Sequence, residues 1–415
     1  AAWRISEENF WQPLKGWWND MKIRGSYGSL GNQVMDDLGN FPYLATYGTN
    51  SSYNYLINGS KPVIVKAPGL VAPDFTWETV TQMDFGFDAS FLNNRLTGTF
   101  DWYRRNTKDM LVAGATLPAT LGASVPKSNS ADMKTIGWEL SLGWNDRLEN
   151  GFSYWVKGVL SDYQATITKY AGNDAGFYSQ SDGDGKYYVG QKIGEIWGYH
   201  SNGLFQSDDE AATIDQSELY AGKWGAGDVK YEDLDNDGKI TKGEETIYNP
   251  GDKSIIGNKT PRYQFGITVG FDYKNFDFEM FWQGTGKRDY MLSGAQFWGF
   301  TSQWDVPYTP ALDYWTETNT DAYFPRPGWQ NGGNRVTSDR YLQSAAYGRL
   351  KNLTVGYTIP KNLTTKWGIS RLRLYVTGEN LLTITPLNDA FDPETLGGMT
   401  YPINRKVAIG LNLTL

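Results

Sequence analysis

The chain has 415 residues, with 38 basic and 46 acidic side chains, one histidine and no cysteine. Absence of cysteine excludes a disulfide scaffold, a thiolate metal site and a cysteine nucleophile. The lone imidazole leaves no zinc cluster and weakens any histidine-based triad, and a net charge of −8 argues against nucleic acid as a partner. Only 40% of residues are hydrophobic and the mean hydropathy is −0.51, yet there are 17 Trp, 27 Tyr and 47 Gly. Such a chain is poor in aliphatic core material, so its aromatics are expected to work at surfaces and boundaries. No run reaches the roughly 18 consecutive apolar residues of a membrane helix, but a membrane β-barrel alternates and gives no such run either.

Alternation is the dominant pattern, and it comes in hairpins. Near the start, Trp3 and Ile5 lead through a polar, Trp-rich turn to Met21, Ile23 and Tyr27. Met83, Phe85, Phe87, Ala89 and Phe91 then fall on odd positions; after Asn93-Asn94-Arg95 the pattern resumes on even ones, Leu96, Gly98, Phe100 and Trp102. Two period-2 runs about a tight polar turn predict an antiparallel hairpin. A second pairs Ile136–Trp144 with Phe152–Val156, a third Tyr263–Phe271 with Phe276–Trp282, and a fourth Leu353–Ile359 with Leu372–Val376. A last strand runs Val407, Ile409, Leu411, Leu413, Leu415. The total is about eleven strands, with short connections alternating with long ones at about 31–78, 109–129, 169–258, 288–342 and 384–402. There is no helical periodicity, fixed-length repeat or linker marking a domain boundary.

The same binary pattern would serve a soluble sandwich, whose apolar face turns inward, or a membrane barrel, whose apolar face meets lipid. Three features favour the barrel. Short turns at one end and long loops at the other match the plan of periplasmic turns and extracellular loops. Trp144 and Tyr273 lie beside short turns while Trp102 and Trp282 lie toward the long-loop end, as two interfacial girdles would. Asp84, Asp88, Asp101, Glu139, Asp277 and Glu279 put charge in mid-strand on the other face, which suits a wet lumen. With short turns inside, the last strand runs inward and, counting back through eleven, so does the first. Bacterial barrels have even strand numbers with both ends inside, so at least one strand is expected before Ala1.

These segments resemble the C-terminal half of a SusC/RagA-type TonB-dependent transporter of the Bacteroidetes outer membrane. The resemblance is carried, in the family's order, by AAWRISEENFW, MKIRGSYGSLGNQ, FTWETVTQMDFGFDASFLNNRLTGTFDWYRRNTKDML, GDVKYEDLDNDGKIT, WTETNTDAYFPRP, YGRLKNLTVGYTIPKNL, LRLYVTGENLLTITP, FDPET and YPINRKVAIGLNLTL. The family usually ends in an aromatic residue, and this chain ends in Leu415. The resemblance implies an all-β antiparallel transmembrane barrel, of which residues 1–415 would supply about eleven of 22 strands, the plug domain and earlier strands lying on a preceding segment. It implies an outer-membrane location, lipid around the wall, a SusD-like surface lipoprotein as lid, and TonB acting through the missing part. It also allows a dimer of such transporter–lipoprotein units, with an oligosaccharide or, in some members, a peptide as cargo. No covalent chemistry is implied.

The sharpest motif, Asp233-Leu-Asp235-Asn-Asp237-Gly238-Lys239-Ile-Thr-Lys-Gly-Glu244, lies in the 169–258 connection. It fits the twelve-position calcium loop: carboxylates at 1, 3 and 5, Gly at 6, a carbonyl from Lys239 at 7, an apolar residue at 8 and Glu244 at 12. No helices flank it, so a structural Ca2+ site without the EF-hand fold is expected. The loops are rich in flat aromatics, including Trp197, Tyr199, Trp224 and Trp329. Among them Trp298, Trp304, Tyr308 and Trp315 are candidates for contact with sugar rings or with the lid, the bland alternative being loop packing. No carboxylate pair is singled out as a glycosidase would need, Gly284-Thr-Gly-Lys287 is too short for a phosphate loop, and His200 reads as structural. The competing class is a secreted β-rich glycan-binding protein or glycoside hydrolase.

Overall fold

The computed structural model describes residues 1–32, 41, 43–50, 56–66, 68–73, 75–113, 118, 120, 125–171, 173, 176–177, 187–396, 401 and 403–415. Parts of the connections expected at 31–78, 109–129, 169–258 and 384–402 therefore lie outside the described residues. Eleven strands form one antiparallel sheet in which sequence neighbours pair: β1 (Ala2–Arg4), β2 (Trp18–Asn32), β3 (Glu78–Phe91), β4 (Leu96–Ala113), β5 (Lys127–Arg147), β6 (Ser153–Tyr170), β7 (Arg262–Tyr273), β8 (Phe276–Lys287), β9 (Tyr347–Thr358), β10 (Arg371–Ile384) and β11 (Lys406–Thr414). The sheet is an open meander from β1 to β11. All four hairpins stand where alternation put them. Among the described residues the α-helices are single turns, and no helix could cross a membrane.

Turn chemistry sets the register. Leu92, Asn93 and Asn94 all take positive φ between β3 and β4, a conformation that Asn tolerates better than most residues. Two residues, Lys274 and Asn275, suffice between β7 and β8, where Tyr273 pairs with Phe276 and Lys274 sits at φ +55°. Because the side-chain period is two, fixing these turns puts the alternating apolar residues of a hairpin on one face. That face is left uncovered: Phe85, Val355 and Ile409 are 51%, 44% and 83% exposed.

An aromatic band runs along the short-turn end. Trp17 and Trp18 stack on Phe91, Trp144 Nε1 donates to Tyr154 Oη (3.1 Å), Phe271 stacks on Phe152 and Phe278, and Phe276 meets Tyr357. At the other end the expectation needs adjusting. Trp102 pairs with Phe85 and Trp138 in mid-strand, because β4 continues through Arg104, Arg105 and Asn106 to Ala113. It therefore marks the top of the apolar stretch, not of the strand. Leu96 to Trp102 is about 20 Å along the strand at ~3.3 Å per residue, shorter than the roughly 9–11 residues that a tilted strand needs to cross the hydrocarbon.

The polar face is knitted across strands. Arg24 on β2 reaches Asp88 on β3 (3.0 Å) and Asp101 on β4 (2.8 Å), and Arg373 on β10 holds Asp277 on β8. Aromatic rings lie over glycines on the neighbouring strand: a Cβ on Gly137 would fall 2.5 Å from the Tyr103 ring, and one on Gly270 would fall 2.1 Å from Trp155. Most large side chains of the hydrophobic core are elsewhere. Tyr199, Leu204, Val229, Tyr231, Ile240, Met291, Leu292, Phe297, Trp298, Phe324, Tyr341, Leu387, Phe391 and Leu396 pack into one buried cluster, all from the three long connections after β6, β8 and β10.

Candidate functional site

The cluster turns three loops into one cap at the long-connection end. Its centre is aromatic: Trp298 lies edge-on to Tyr341 at 4.5 Å, and Phe297 meets Phe324 at 5.1 Å and Phe391 at 6.1 Å. Two polar clamps fix the loops to each other and to the wall. Fully buried Asp228 accepts from Arg326 Nη2 (2.6 Å) and Nε (3.0 Å), from Asn334 Nδ2 (2.8 Å) and from the Gly225 N–H (3.0 Å), tying the second cap loop to the first. Arg349, 2% exposed on β9, pairs with Asp392 and Glu394, and Lys351 also pairs with Glu394 (3.0 Å). The segment Phe391–Thr395 is thereby pinned to a wall strand at its charged residues and to the core at Phe391. Burial also pushes the Tyr231 phenol well above its ordinary range, and its hydroxyl donates to the Gly333 carbonyl (2.7 Å).

The acidic loop is held from behind. Carboxylate oxygens of Asp233, Asp235 and Asp237 lie within 4.8 Å of one another, the one group of this kind among the described residues. Asp233 accepts from the N–H groups of Gly238 (2.8 Å) and Asn236 (2.7 Å), and Asp237 accepts from the N–H of Lys239 (2.8 Å). Gly238 sits at φ +84°, which a side chain would resist. Ile240, the eighth loop position, is fully buried in the cap core, and its N–H donates to the Asp215 carbonyl (2.7 Å). Buried Asp252 closes the base by accepting from the N–H groups of Leu234 and Thr241 (2.7 Å each). Glu244 is exposed and outside the carboxylate group; its N–H donates to the Asn249 carbonyl. Desolvation, then the charges of Asp237, Asp252 and Asp233, push the Asp235 carboxyl above the usual range. For Asp233 desolvation pushes the same way but is outweighed by the N–H groups of Gly238, Asn236 and Asp237, which hold it low.

The four aromatic candidates separate. Trp298 is 8% exposed inside the cap core, so it packs the cap and offers no face to a ligand. Trp315 is half-buried against the same core, its ring pressed to Gly227. Trp304 and Tyr308 are 82% and 44% exposed, in an apolar stretch with Val306 and Leu312. At its base Asp305 is held below the usual carboxylate range by the Thr301 hydroxyl and by the N–H groups of Thr301 and Ser302. Tyr199, Trp224 and Trp197, which stacks on Phe177 at 4.2 Å, belong to the packing; Trp329 is exposed. His200 holds two partners that the sequence did not indicate, Asp339 and Ser254, which lie 139 and 54 residues away.

The family described as TonB dependent receptor-like, beta-barrel matches residues 9–381. This chain belongs to that family. As a member of the TonB-dependent receptor family it is an outer-membrane β-barrel segment, which answers the choice between lipid-facing and inward-facing apolar surface. It is 29% identical to TonB-dependent receptor P3 of Formosa agariphila over 99% of its own length and 41% of the relative's. It is 26% identical to TonB-dependent receptor SusC of Bacteroides thetaiotaomicron over 99% of its length and 39% of the relative's. In structure it is similar to the barrel in the RagAB peptide transporter, with a TM-score of 0.76 at 21% identity, covering 99% of this chain and 42% of that one. The chain thus spans about two fifths of the curated relatives it matches.

Proposed function

We propose that the chain supplies the C-terminal part of the wall and most of an extracellular cap for a nutrient importer of the outer membrane, driven by TonB. The observation that carries this is the division of the molecule into a wall with few large buried apolar side chains, apolar on one face and charged on the other, and a packed cap on its long-loop end. The favoured cargo is an oligosaccharide, met by the exposed faces of Trp304 and Tyr308, since flat aromatic faces stack on sugar rings. A SusD-like lipoprotein would close over the cap, and two such units could pair. The structure similar in fold is that of the RagAB peptide transporter, so a peptide is the competing cargo.

The acidic loop fits a structural calcium ion. Asp233, Asp235 and Asp237 supply clustered hard oxygens and Lys239 a carbonyl, while Glu244, outside the group in this structure, would have to turn in as the twelfth-position carboxylate; calcium takes six to eight such ligands. Its role would be to keep residues 233–252 in shape against the cap core.

The test is carried out on the full-length protein in its own membrane. It should need detergent for extraction, copurify with a surface lipoprotein, and support oligosaccharide uptake that stops when TonB is deleted. TonB-dependent uptake of peptides instead would replace the cargo, and a protein that dissolves in buffer without partners would overturn the reading.

A further inference from the structure

The one histidine of the chain is held at both ring nitrogens. His200 Nδ1 lies 2.7 Å from Asp339 Oδ2, and Nε2 lies 2.7 Å from Ser254 Oγ. The other carboxylate oxygen of Asp339 accepts from the Ser201 N–H (2.9 Å), which fixes the rotation of the carboxylate. Backbone pairing brings the three together. Ser254, in the strand Lys253–Asn258, pairs with Gly198 in the strand Glu195–Tyr199, two residues before His200. The segment carrying Asp339 is docked on that strand by Tyr199 N–H to the Thr337 carbonyl (2.9 Å) and Asp339 N–H to the Tyr199 carbonyl (3.1 Å). The imidazole and the carboxylate are 35% and 39% exposed, so the arrangement opens to solvent.

The import function proposed above assigns no role to this constellation. A serine hydroxyl on one imidazole nitrogen, with a carboxylate orienting the ring through the other, is the geometry that turns a weak alcohol into a nucleophile. We propose that Ser254, His200 and Asp339 form a nucleophilic relay that hydrolyses short-chain acyl esters presented to the cap. Ser254 Oγ would form a bond to the ester carbonyl carbon as its proton passes to His200 Nε2. The bond to the leaving alcohol breaks as that oxygen takes the proton back. Water then attacks the acyl-serine, its proton again passing through Nε2 to Ser254 Oγ, and the carboxylic acid leaves. Asp339 is the positioning residue: it holds the ring in the tautomer with Nε2 free to accept, and it faces the imidazolium that forms.

The experiment exposes the full-length protein, purified in mild detergent, to a fluorophosphonate probe and maps the modified serine by peptide mass, with p-nitrophenyl acetate hydrolysis followed in parallel. Ser254 should be labelled ahead of every other serine, and Ser254→Ala should remove both signals. His200→Gln keeps a hydrogen-bonding side chain but no base, so it should slow both rates by about 10²-fold or more. Asp339→Asn should slow labelling while leaving the cap's unfolding temperature unchanged, which a purely structural role would not do. Labelling of Ser254 no faster than other serines, or equally fast in His200→Gln, would overturn the relay. Because the wild-type map is decisive alone, a variant that fails to fold does not rescue the proposal. Neither outcome depends on the cargo or on TonB.

Discussion

In the wall, large apolar side chains point away from the protein; in the cap they point at one another. Ile409 on β11 is 83% exposed, while Phe297 in the cap is fully buried. The two regions are built from the same residue types and differ in what serves as their apolar solvent, lipid for one and protein for the other. The wall gets its order from backbone ladders and from the two-residue period of its strands, so each residue needs only to be on the correct face. The cap has little regular structure, and its order depends on close packing and on a few buried charges that must be paired.

Substitutions should therefore act by opposite rules in the two regions. Phe297→Ala, which empties the centre of the aromatic cluster, should cost the cap about 3–5 kcal/mol, read as loss of amide protection in residues 195–258 and 288–346 with the wall unchanged. Asp228→Ala leaves Arg326 and Asn334 without their shared acceptor. Breaking such a pair costs about 3 kcal/mol, here with Arg326 partly exposed, and the same exchange experiment should show the first two cap loops separating. In the wall the informative change is polarity, not size. Ile267→Arg on the lipid face should cost about 2–4 kcal/mol in folding into bilayers and leave cap protection intact. Equal loss of protection in both regions for either class would break the comparison.

Two smaller effects sharpen it. Calcium added to the metal-free protein should slow amide exchange in 233–252 and nowhere in the wall, and Asp235→Asn should weaken that response. Metal and proton compete for the same carboxylates. Because Asp235 sits above the usual aspartate range, affinity should begin to fall, as pH is lowered, sooner than an ordinary aspartate would give, as titration calorimetry at several pH values would show. The least effect belongs to the lumen face. Arg24→Met removes ion pairs to Asp88 and Asp101 that are partly solvated, worth no more than about 1 kcal/mol together.

The wall was legible because its signal is local. Met83 through Trp102 announces two faces and a turn without any distant residue, and the same holds at Tyr263–Trp282. The cap was not, because its partners are far apart and carry no period. Trp298 reads as a free loop aromatic until Tyr341 and Phe324 fold around it, and its single-turn helix, Ala295–Trp298, is too short to show an amphipathic pattern. The acidic loop was legible at Asp233, Asp235 and Asp237 because its ligands are alternate residues, but its support by Asp215 and Asp252 depends on folding. The partners of His200 had no sequence signal beyond its being the one imidazole present. Trp102 was expected toward a strand end and stands in mid-strand, because alternation reports where an apolar stretch ends and not where a strand ends.

That last point has a consequence for reach. A tilted strand needs about 9–11 residues to cross the hydrocarbon, whereas β5 has 21 and β4 and β6 have 18 each. The surplus raises a one-sided palisade of hydrogen-bonded sheet at β4–β6, beside strands β7–β10, which carry most of the cap on 12 to 14 residues each. Shortening β4–β6 together would level that palisade, and because none of the buried cap core lies on those strands it would do so without altering a single residue of that core.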